Sequence, residues 1–175
     1  MKKIAVLVIG LIVSGVSFAQ KSPLEKLNFI IGDWAGPVEG FDKSPSKLKS
    51  NFQWVKDGKE IQVSNRSRFE NTGFHIAYDS VRQVIFCNRI VICDQYFSKK
   101  YVEFILIDSL STDTIFVFVS EKLKNMPESD ESPAVEKACW IIKKVSENEF
   151  EDRIEFTYPG KDLKGVWTSF LIRKQ

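Results

Sequence analysis

The chain has 175 residues with 25 basic and 23 acidic side chains, which is long enough for one domain with a buried core. Two of the basic residues, Lys2 and Lys3, precede an apolar N-terminal run. Without them the chain is neutral, with 23 side chains of each sign. Basic and acidic residues are interleaved and form no stripe that could follow a phosphate backbone. We therefore expect no nucleic-acid partner.

The first 19 residues have the pattern of a secretory signal peptide. Lys2 and Lys3 form a basic start, residues 4–18 are apolar, and Ser17 and Ala19 are the small residues that signal peptidase reads. The apolar run is shorter than the ~20 residues that a spanning helix needs. We predict a signal peptide over 1–19, one domain over 20–175, no membrane span after cleavage, and a periplasmic or secreted location.

A short helix followed by strands is predicted for the domain. Ser22, Pro23 and Glu25 form a helix-start signal, and Gly32 ends the helix. From there apolar and polar residues alternate almost to the end of the chain, which is the period of half-buried strands. About ten such segments joined by short turns are typical of an antiparallel meander. The expected fold is all-β, an up-and-down antiparallel barrel of about 8–10 strands with one short N-terminal helix.

Three stretches give local expectations. Asp57 and Gly58 have the composition of a two-residue hairpin turn. Residues 84–93 are apolar on both faces apart from Asn88 and Arg89, so they form either a covered strand or one that bends near Asn88. Residues 122–133 lack periodicity and are rich in loop formers, so the longest loop is expected there.

The stretch from Phe29 to Gly36, FIIGDWAG, resembles the opening of lipocalin-like (calycin) barrels, in which a Gly-x-Trp motif closes the barrel floor. Through this stretch and residues 52–59, 77–79 and 170–174, the chain is similar to an uncharacterised group of exported bacterial proteins in that class. In calycins an Arg at the end of the last strand packs over the Trp. The resemblance implies that Gly32, Trp34 and Arg173 close this barrel, the cation over the indole contributing about 0.5–2 kcal/mol.

Nitrobindin-like barrels, to which the similarity is distant, share this opening and bind haem through a His near the last strand. Residues 165–168 of this chain, GVWT, stand in that region, and the one His, His75, lies far upstream. Haem bound in that manner is therefore not expected, and we predict no cofactor. One His and three Cys are also too few for a typical zinc site, so we predict no metal.

The three cysteines, Cys87, Cys93 and Cys139, allow at most one disulfide within the chain. Cys87 and Cys93 would lie about 20 Å apart on one straight strand, which is too far for a bond. If a disulfide exists, Cys139 is the expected partner of one of them. Three buried thiols are equally compatible with the sequence.

No motif indicates catalysis. The sequence has no Gly-x-Ser-x-Gly turn to expose a nucleophile. His75 alternates with Phe74 and Ile76, so it is predicted to lie on the solvent side of its strand. Arg153 and Glu155 are expected to form ion pairs on the exterior of the sheet. We therefore predict no enzyme activity.

The favoured function is the binding of a small apolar or amphipathic molecule inside the barrel. On each strand the alternate residues point inward, and a few of them are polar. The residues expected to line the cavity are Trp54, Asn65, Ser67, Phe69, Tyr78, Phe156 and Tyr158. The same aromatic side chains are equally able to fill a small barrel completely. In that case the alternative is a module whose exposed face docks onto another envelope protein.

Overall fold

A computed structural model describes residues 22–39, 46–68, 71–92, 99–126, 135–160 and 164–175. The predicted signal peptide, Phe69 and Cys93 lie outside the described residues. A 3₁₀ helix (Pro23–Ile30) comes first, and a second 3₁₀ turn (Asp108–Leu110) joins two strands. The strands are β1 (Gly32–Glu39), β2 (Ser46–Val55), β3 (Glu60–Arg66), β4 (Asn71–Asp79), β5 (Val84–Ile92), β6 (Lys99–Leu106), β7 (Ile115–Met126), β8 (Lys137–Ser146), β9 (Glu149–Thr157) and β10 (Lys164–Arg173).

The ten strands of the described chain form one closed antiparallel barrel in which each strand pairs with its neighbours in sequence. The first and last strands complete the ring, with Trp34 of β1 opposite Arg173 of β10. Closure removes the exposed edges that an open sheet would present. The predicted all-β, up-and-down barrel with one short N-terminal helix is confirmed.

The N-terminal 3₁₀ helix covers one end of the barrel. The Ser22 hydroxyl accepts a hydrogen bond from the amide of Leu24, and Pro23 occupies the first position, as the start signal predicts. Leu24, Leu27 and Ile30 are fully buried and join the barrel core. The helix lies at the end of the barrel that contains the β2–β3 turn and the β8–β9 turn. We call this end the closed end and the opposite end the far end.

Connections at the two ends differ in how much of them the structure describes. At the closed end every connection is described, from the turn at 56–59 to the turn at 147–148. At the far end each connection contains residues outside the described ranges, namely 40–45, 69–70, 93–98, 127–134 and 161–163. Neither 3₁₀ segment of the described chain is long and apolar enough to cross a lipid bilayer.

Inward-facing residues alternate along each strand and form the core inside the barrel, as their spacing predicts. On β9, for example, Phe150, Ile154 and Phe156 are buried, whereas Glu151 and Glu155 are half-buried on the outer face. Large rings dominate the fully buried set. The aromatic members of that set are Trp34, Trp140, Phe104, Phe118, Phe150 and Phe156.

Two local predictions were wrong. The β2–β3 connection is a four-residue turn, residues 56–59, rather than a two-residue one. Lys56 and Asp57 both adopt positive φ, and the Lys59 amide donates to the Lys56 carbonyl at 3.2 Å. Strand β7 continues to Met126, with Leu123 paired to Val102 of β6, so the loop predicted over 122–133 does not begin at residue 122. Residues 127–133 of that predicted loop lie outside the described residues.

Candidate functional site

The closed end is built around the indole of Trp34. This side chain is 1% exposed, and its Nε1 donates to the Ile30 carbonyl at 2.6 Å. The ring of Phe150 meets it edge-on at 4.7 Å between centroids. Phe29 of the helix stacks at 5.5 Å on Phe116. The helix is therefore held against the barrel by ring contacts and a buried hydrogen bond.

Arg173 covers the other face of the same indole. Its guanidinium carbon lies 4.3 Å from the Trp34 ring centroid. Its Nη1 and Nη2 donate to the carbonyls of Ile31 and Phe29 at 2.6 and 3.0 Å, which ties the end of β10 to the end of the helix. Gly32 has φ of +128°, and a Cβ there would lie 2.7 Å from Arg173 Nη1. Gly32, Trp34 and Arg173 therefore lie next to one another and together close the floor of the barrel.

Two of the residues predicted to line a cavity also lie at the closed end. Trp54 is half-buried near the end of β2, and its Nε1 donates to Asn28 Oδ1 of the helix at 3.1 Å. Tyr78 is half-buried near the end of β4, opposite Ile85. Both residues therefore lie at the end of the barrel that the N-terminal helix covers, opposite from Tyr158.

Halfway along the barrel the interior becomes polar. Five inward-facing polar residues are at most 8% exposed, and we call them the polar layer: Ser50, Asn65, Arg89, Asp152 and Ser169. Four of them form two pairs on adjacent strands: Ser50 is opposite Asn65, and Asp152 is opposite Ser169. Ser50 Oγ donates to Asn65 Oδ1 at 2.9 Å.

Arg89 places a cation among the rings of the lumen. Its guanidinium carbon lies 4.6 Å from the ring centroid of Phe74 on β4 and 5.1 Å from that of Trp140 on β8. Strand β4 adjoins β5, but β8 is separated from β5 by β6 and β7, so the side chain extends into the lumen. Cation–π contact of this kind stabilises a buried guanidinium.

Asp152 adds a carboxylate to the same layer. Its Oδ1 accepts a hydrogen bond from Trp140 Nε1. The charges of Arg89 and Asp152 both act on the thiol of Cys87, the former lowering and the latter raising its pKa. Burial is the dominant effect and raises the pKa of Cys87 to about 12. This thiol is therefore protonated and unreactive at neutral pH.

The described cysteines are free thiols. Cys87 is buried, and Cys139 is half-buried with a pKa that burial also raises. These two residues thus follow the alternative of unpaired thiols, while Cys93 lies outside the described residues. Across the described chain no group of three or more His, Cys, Asp or Glu side chains comes together in a way that could hold a metal ion.

The far half of the barrel contains the other predicted cavity residues. Asn65 belongs to the polar layer, and Phe156 is fully buried beside Ala138. Ser67 and Tyr158 are half-buried just beyond the far ends of β3 and β9. Phe69 lies outside the described residues. The structure therefore divides the predicted set between the two ends of the barrel.

Sequence reasoning missed Ser50, Arg89, Asp152 and Ser169 as site residues. The signal was present in the alternation, because Asp152 lies an even number of positions from Phe156 and Tyr158, which were predicted to line the cavity. Arg89 likewise shares its parity with Cys87. By contrast, His75 is on the outer face as predicted, with its Nδ1 3.2 Å from Glu60 Oε2.

Comparison with known proteins supports the fold and nothing finer. No protein-family model matches the chain, and no curated protein matches it in sequence. The crystal structure of Rv2717c from M. tuberculosis matches with a TM-score of 0.51 and 12% identity over 87% of this chain and 97% of that one. The structure of EF1p2_mFAP2b bound to DFHBI matches with a TM-score of 0.39 and 12% identity over 85% and 97% of the respective chains. The chain thus shares its barrel fold with Rv2717c.

Proposed function

We propose that this protein binds a small amphipathic molecule inside the barrel, with the polar group of the ligand against the polar layer. The polar layer itself carries the proposal. Burying a polar group without full compensation costs roughly 1–3 kcal/mol, and charged residues are rarely fully buried. Arg89 and Asp152 are therefore unusual residues for the interior of a barrel. A few polar groups within apolar walls are typical of small-molecule sites.

The arrangement of the lumen supports an approach from the far end. The closed end is occupied by the helix and by the ring of Phe150 against Trp34. Between the polar layer and the far end the inward-facing residues include Leu48, Val91 and Phe156, all of them apolar. A ligand would therefore direct its polar group inward and its apolar body toward the far end.

The donors of the polar layer suit an oxygen-bearing ligand. Arg89 is a permanent cation, and Asn65 and the serine hydroxyls can donate as well as accept hydrogen bonds. A carboxylate, hydroxyl or carbonyl group is able to accept hydrogen bonds from donors of this kind. Asp152 is committed in part to Trp140, which orients it within the layer.

We further propose that the protein is exported, cleaved after Ala19, and a member of the lipocalin-like (calycin) class. Export is supported by the composition of residues 1–19. The class is supported by the ten-stranded barrel, by Gly32 and Trp34 at the start of β1, and by the contact between Arg173 and Trp34. Mass measurement of protein from the envelope fraction of the producing cell tests the cleavage, since Gln20 should be the first residue.

Native mass spectrometry tests the binding proposal directly. Protein purified gently from its own envelope fraction should carry a non-covalent adduct that denaturing mass spectrometry removes. Incubation of stripped protein with dodecanoate should restore an adduct of one molecule per chain. A clean unliganded mass under both conditions would contradict the proposal.

A paired substitution links the adduct to the polar layer. In the variant R89M/D152N the charges are removed together, and the amide oxygen introduced at position 152 can still accept a hydrogen bond from Trp140. We expect dodecanoate to bind at least about tenfold more weakly. The control K137Q removes an exposed cation of β8 and should bind as the unmodified protein does. Equal binding by R89M/D152N would show that the layer does not contact the ligand.

A docking module is the second candidate function, and one observation favours it. The exposed large apolar side chains of the described chain all lie at the closed end: Val81, Leu110, Val145 and Ile172. Val81 is the most exposed of them, at 91%. If this end docks onto an envelope protein, V81S/L110S should abolish cross-linking to that partner in intact cells. Unchanged cross-linking would remove this candidate.

A further inference from the structure

The outer face of the barrel carries a depression over its first four strands. It has a volume of about 440 Å³ and is lined by residues of β1 to β4 and by Lys174. Asn51, Ser64 and Gly73 lie side by side across β2, β3 and β4 on this face. The adjacent row carries the long side chains of Lys49 and Arg66. Short side chains beside long ones make the surface concave here.

A second depression continues from the first. It has a volume of about 330 Å³, and its lining includes His75, Phe86 and Asn88 on β4 and β5. Gly73 lines both depressions, so the two lie next to each other at this residue. Together they cross five adjacent strands, a length of about 19 Å at the usual strand spacing of ~4.8 Å. We call the part next to Lys49, Arg66 and Lys174 the basic groove.

The charge of the basic groove is positive. Lys49 and Arg66 are directly opposite each other in the β2–β3 ladder, and Lys174 faces the same depression. None of these three cations forms an ion pair with another described residue. Among the described residues of the lining the one carboxylate, that of Asp33, accepts a hydrogen bond from Asn51 Nδ2 at 3.0 Å.

This charge pattern is unfavourable for the isolated protein. Like charges directly opposite on adjacent strands destabilise a sheet. Some other cations of the outer surface are paired with acids, such as Lys122 with Glu103 and Arg82 with Asp79. An anionic ligand would relieve the repulsion between Lys49 and Arg66 and would find charge-assisted hydrogen bonds there.

We propose that the basic groove binds an anionic saccharide, with an acidic group of the sugar between Lys49 and Arg66. The amide of Asn51 and the hydroxyl of Ser64 can each donate and accept hydrogen bonds, as sugar hydroxyls require. The extension beyond Gly73 gives room for further rings of an oligosaccharide. The basic groove has no aromatic side chain in its described lining on which a nucleic-acid base would stack. This site is on the outer face, whereas the amphipathic ligand proposed above lies inside the lumen.

Amide chemical shifts of ¹⁵N-labelled protein test the site with defined probes. Trigalacturonate should shift the amides of Asn51, Ser64 and Gly73 in a saturable way. Its trimethyl ester, which has the same rings without the charges, should leave them unchanged. Equal shifts by the ester would overturn the proposal, as would absent shifts with both trigalacturonate and a sulfated chondroitin tetrasaccharide. Tighter binding of hexathymidylate at the same amides would assign the groove to nucleic acid instead.

Substitutions test separately how the charge and the shape of the basic groove contribute to saccharide binding. K49Q/R66Q should bind trigalacturonate at least about tenfold more weakly, with an unchanged or raised melting temperature because a repulsion is removed. The matched control K137Q/K143Q removes two exposed cations from β8, on the opposite side of the barrel, and should bind normally. G73V keeps all the charges and fills the junction between the depressions, so it too should weaken binding. Normal binding by K49Q/R66Q would overturn the proposal.

Discussion

The closed end and the middle of this barrel differ in the contacts made inside the lumen, which are mainly apolar at the closed end and polar in the middle. At the closed end Trp34 packs between Phe150 and Arg173, and its one polar atom is satisfied by a backbone carbonyl. In the polar layer, Arg89 and Asp152 bring charges into an interior where each costs free energy. The closed end is thus built from contacts that stabilise the fold, whereas the polar layer contains the charges for which we propose a bound ligand.

The largest expected effect is at the closed end. W34A should lower the free energy of unfolding by about 3–5 kcal/mol, because it leaves a cavity beneath the helix and removes the contact with Arg173. Urea denaturation followed by circular dichroism measures the change. Trp167, half-buried toward the far end of β10, provides the comparison, and W167A should cost less than half as much. Similar losses of unfolding free energy for W34A and W167A would contradict the proposed difference in stability between the two ends.

Thiol reactivity should separate Cys87 from Cys139 by a large factor. Burial raises the pKa of Cys87 from its usual value near 9 to about 12, so at pH 8 the thiolate is roughly a thousandfold scarcer than for a free thiol. With a maleimide reagent and peptide mapping, Cys87 should label at least about a hundredfold more slowly than Cys139 in the native protein. In denaturant the two rates should converge. Fast labelling of Cys87 in the native state would show that the lumen around the polar layer is open to solvent.

Loss of the hydrogen bonds of Arg173 should have a smaller effect. In R173K the charge over Trp34 is retained, but an ammonium group cannot donate to the carbonyls of both Phe29 and Ile31 in the fixed geometry of a guanidinium. The free energy of unfolding should fall by about 2 kcal/mol. The neighbouring K174Q is the control and should change it by less than about 0.5 kcal/mol. A neutral R173K would mean that the charge alone holds the floor together.

The smallest effect on stability is expected in the polar layer. S50A removes the donor of the hydrogen bond from Ser50 to Asn65 and should lower the free energy of unfolding by about 1 kcal/mol. Dodecanoate affinity should also fall by about fivefold, because the ligand loses a polar contact. Calorimetric titration and thermal unfolding measure the two quantities on the same sample. A large loss of stability with unchanged affinity would give this pair a structural role.

The alternation of apolar and polar residues was sufficient to predict the barrel, because every strand has one face in the lumen. The pattern of Phe150, Ile154 and Phe156 therefore assigns β9 and its inner face correctly. The geometry of the turns was harder to predict from the sequence. The β2–β3 connection uses positive φ at Lys56 and Asp57, where such a conformation is uncommon, so the composition of Asp57 and Gly58 suggested a shorter turn.

The polar layer was harder to predict for a physical reason. A charged residue on a strand is placed outside by default, because burial of a charge is costly. The rings of Phe74 and Trp140 help to stabilise Arg89 inside the barrel, but they are distant in sequence and meet it only when the barrel closes. Asp152 depends in the same way on Trp140. Strand parity identified the inner face, but it carried no information on these partners.

The most direct test of ligand binding at the polar layer is an NMR titration of ¹⁵N-labelled protein with dodecanoate. We expect saturable shifts for Asn65, Asp152 and the side-chain Nε of Arg89, together with little change for Trp34 and Gly32 at the closed end. Shifts confined to the closed end or to the outer face, with the polar layer unchanged at saturation, would contradict it.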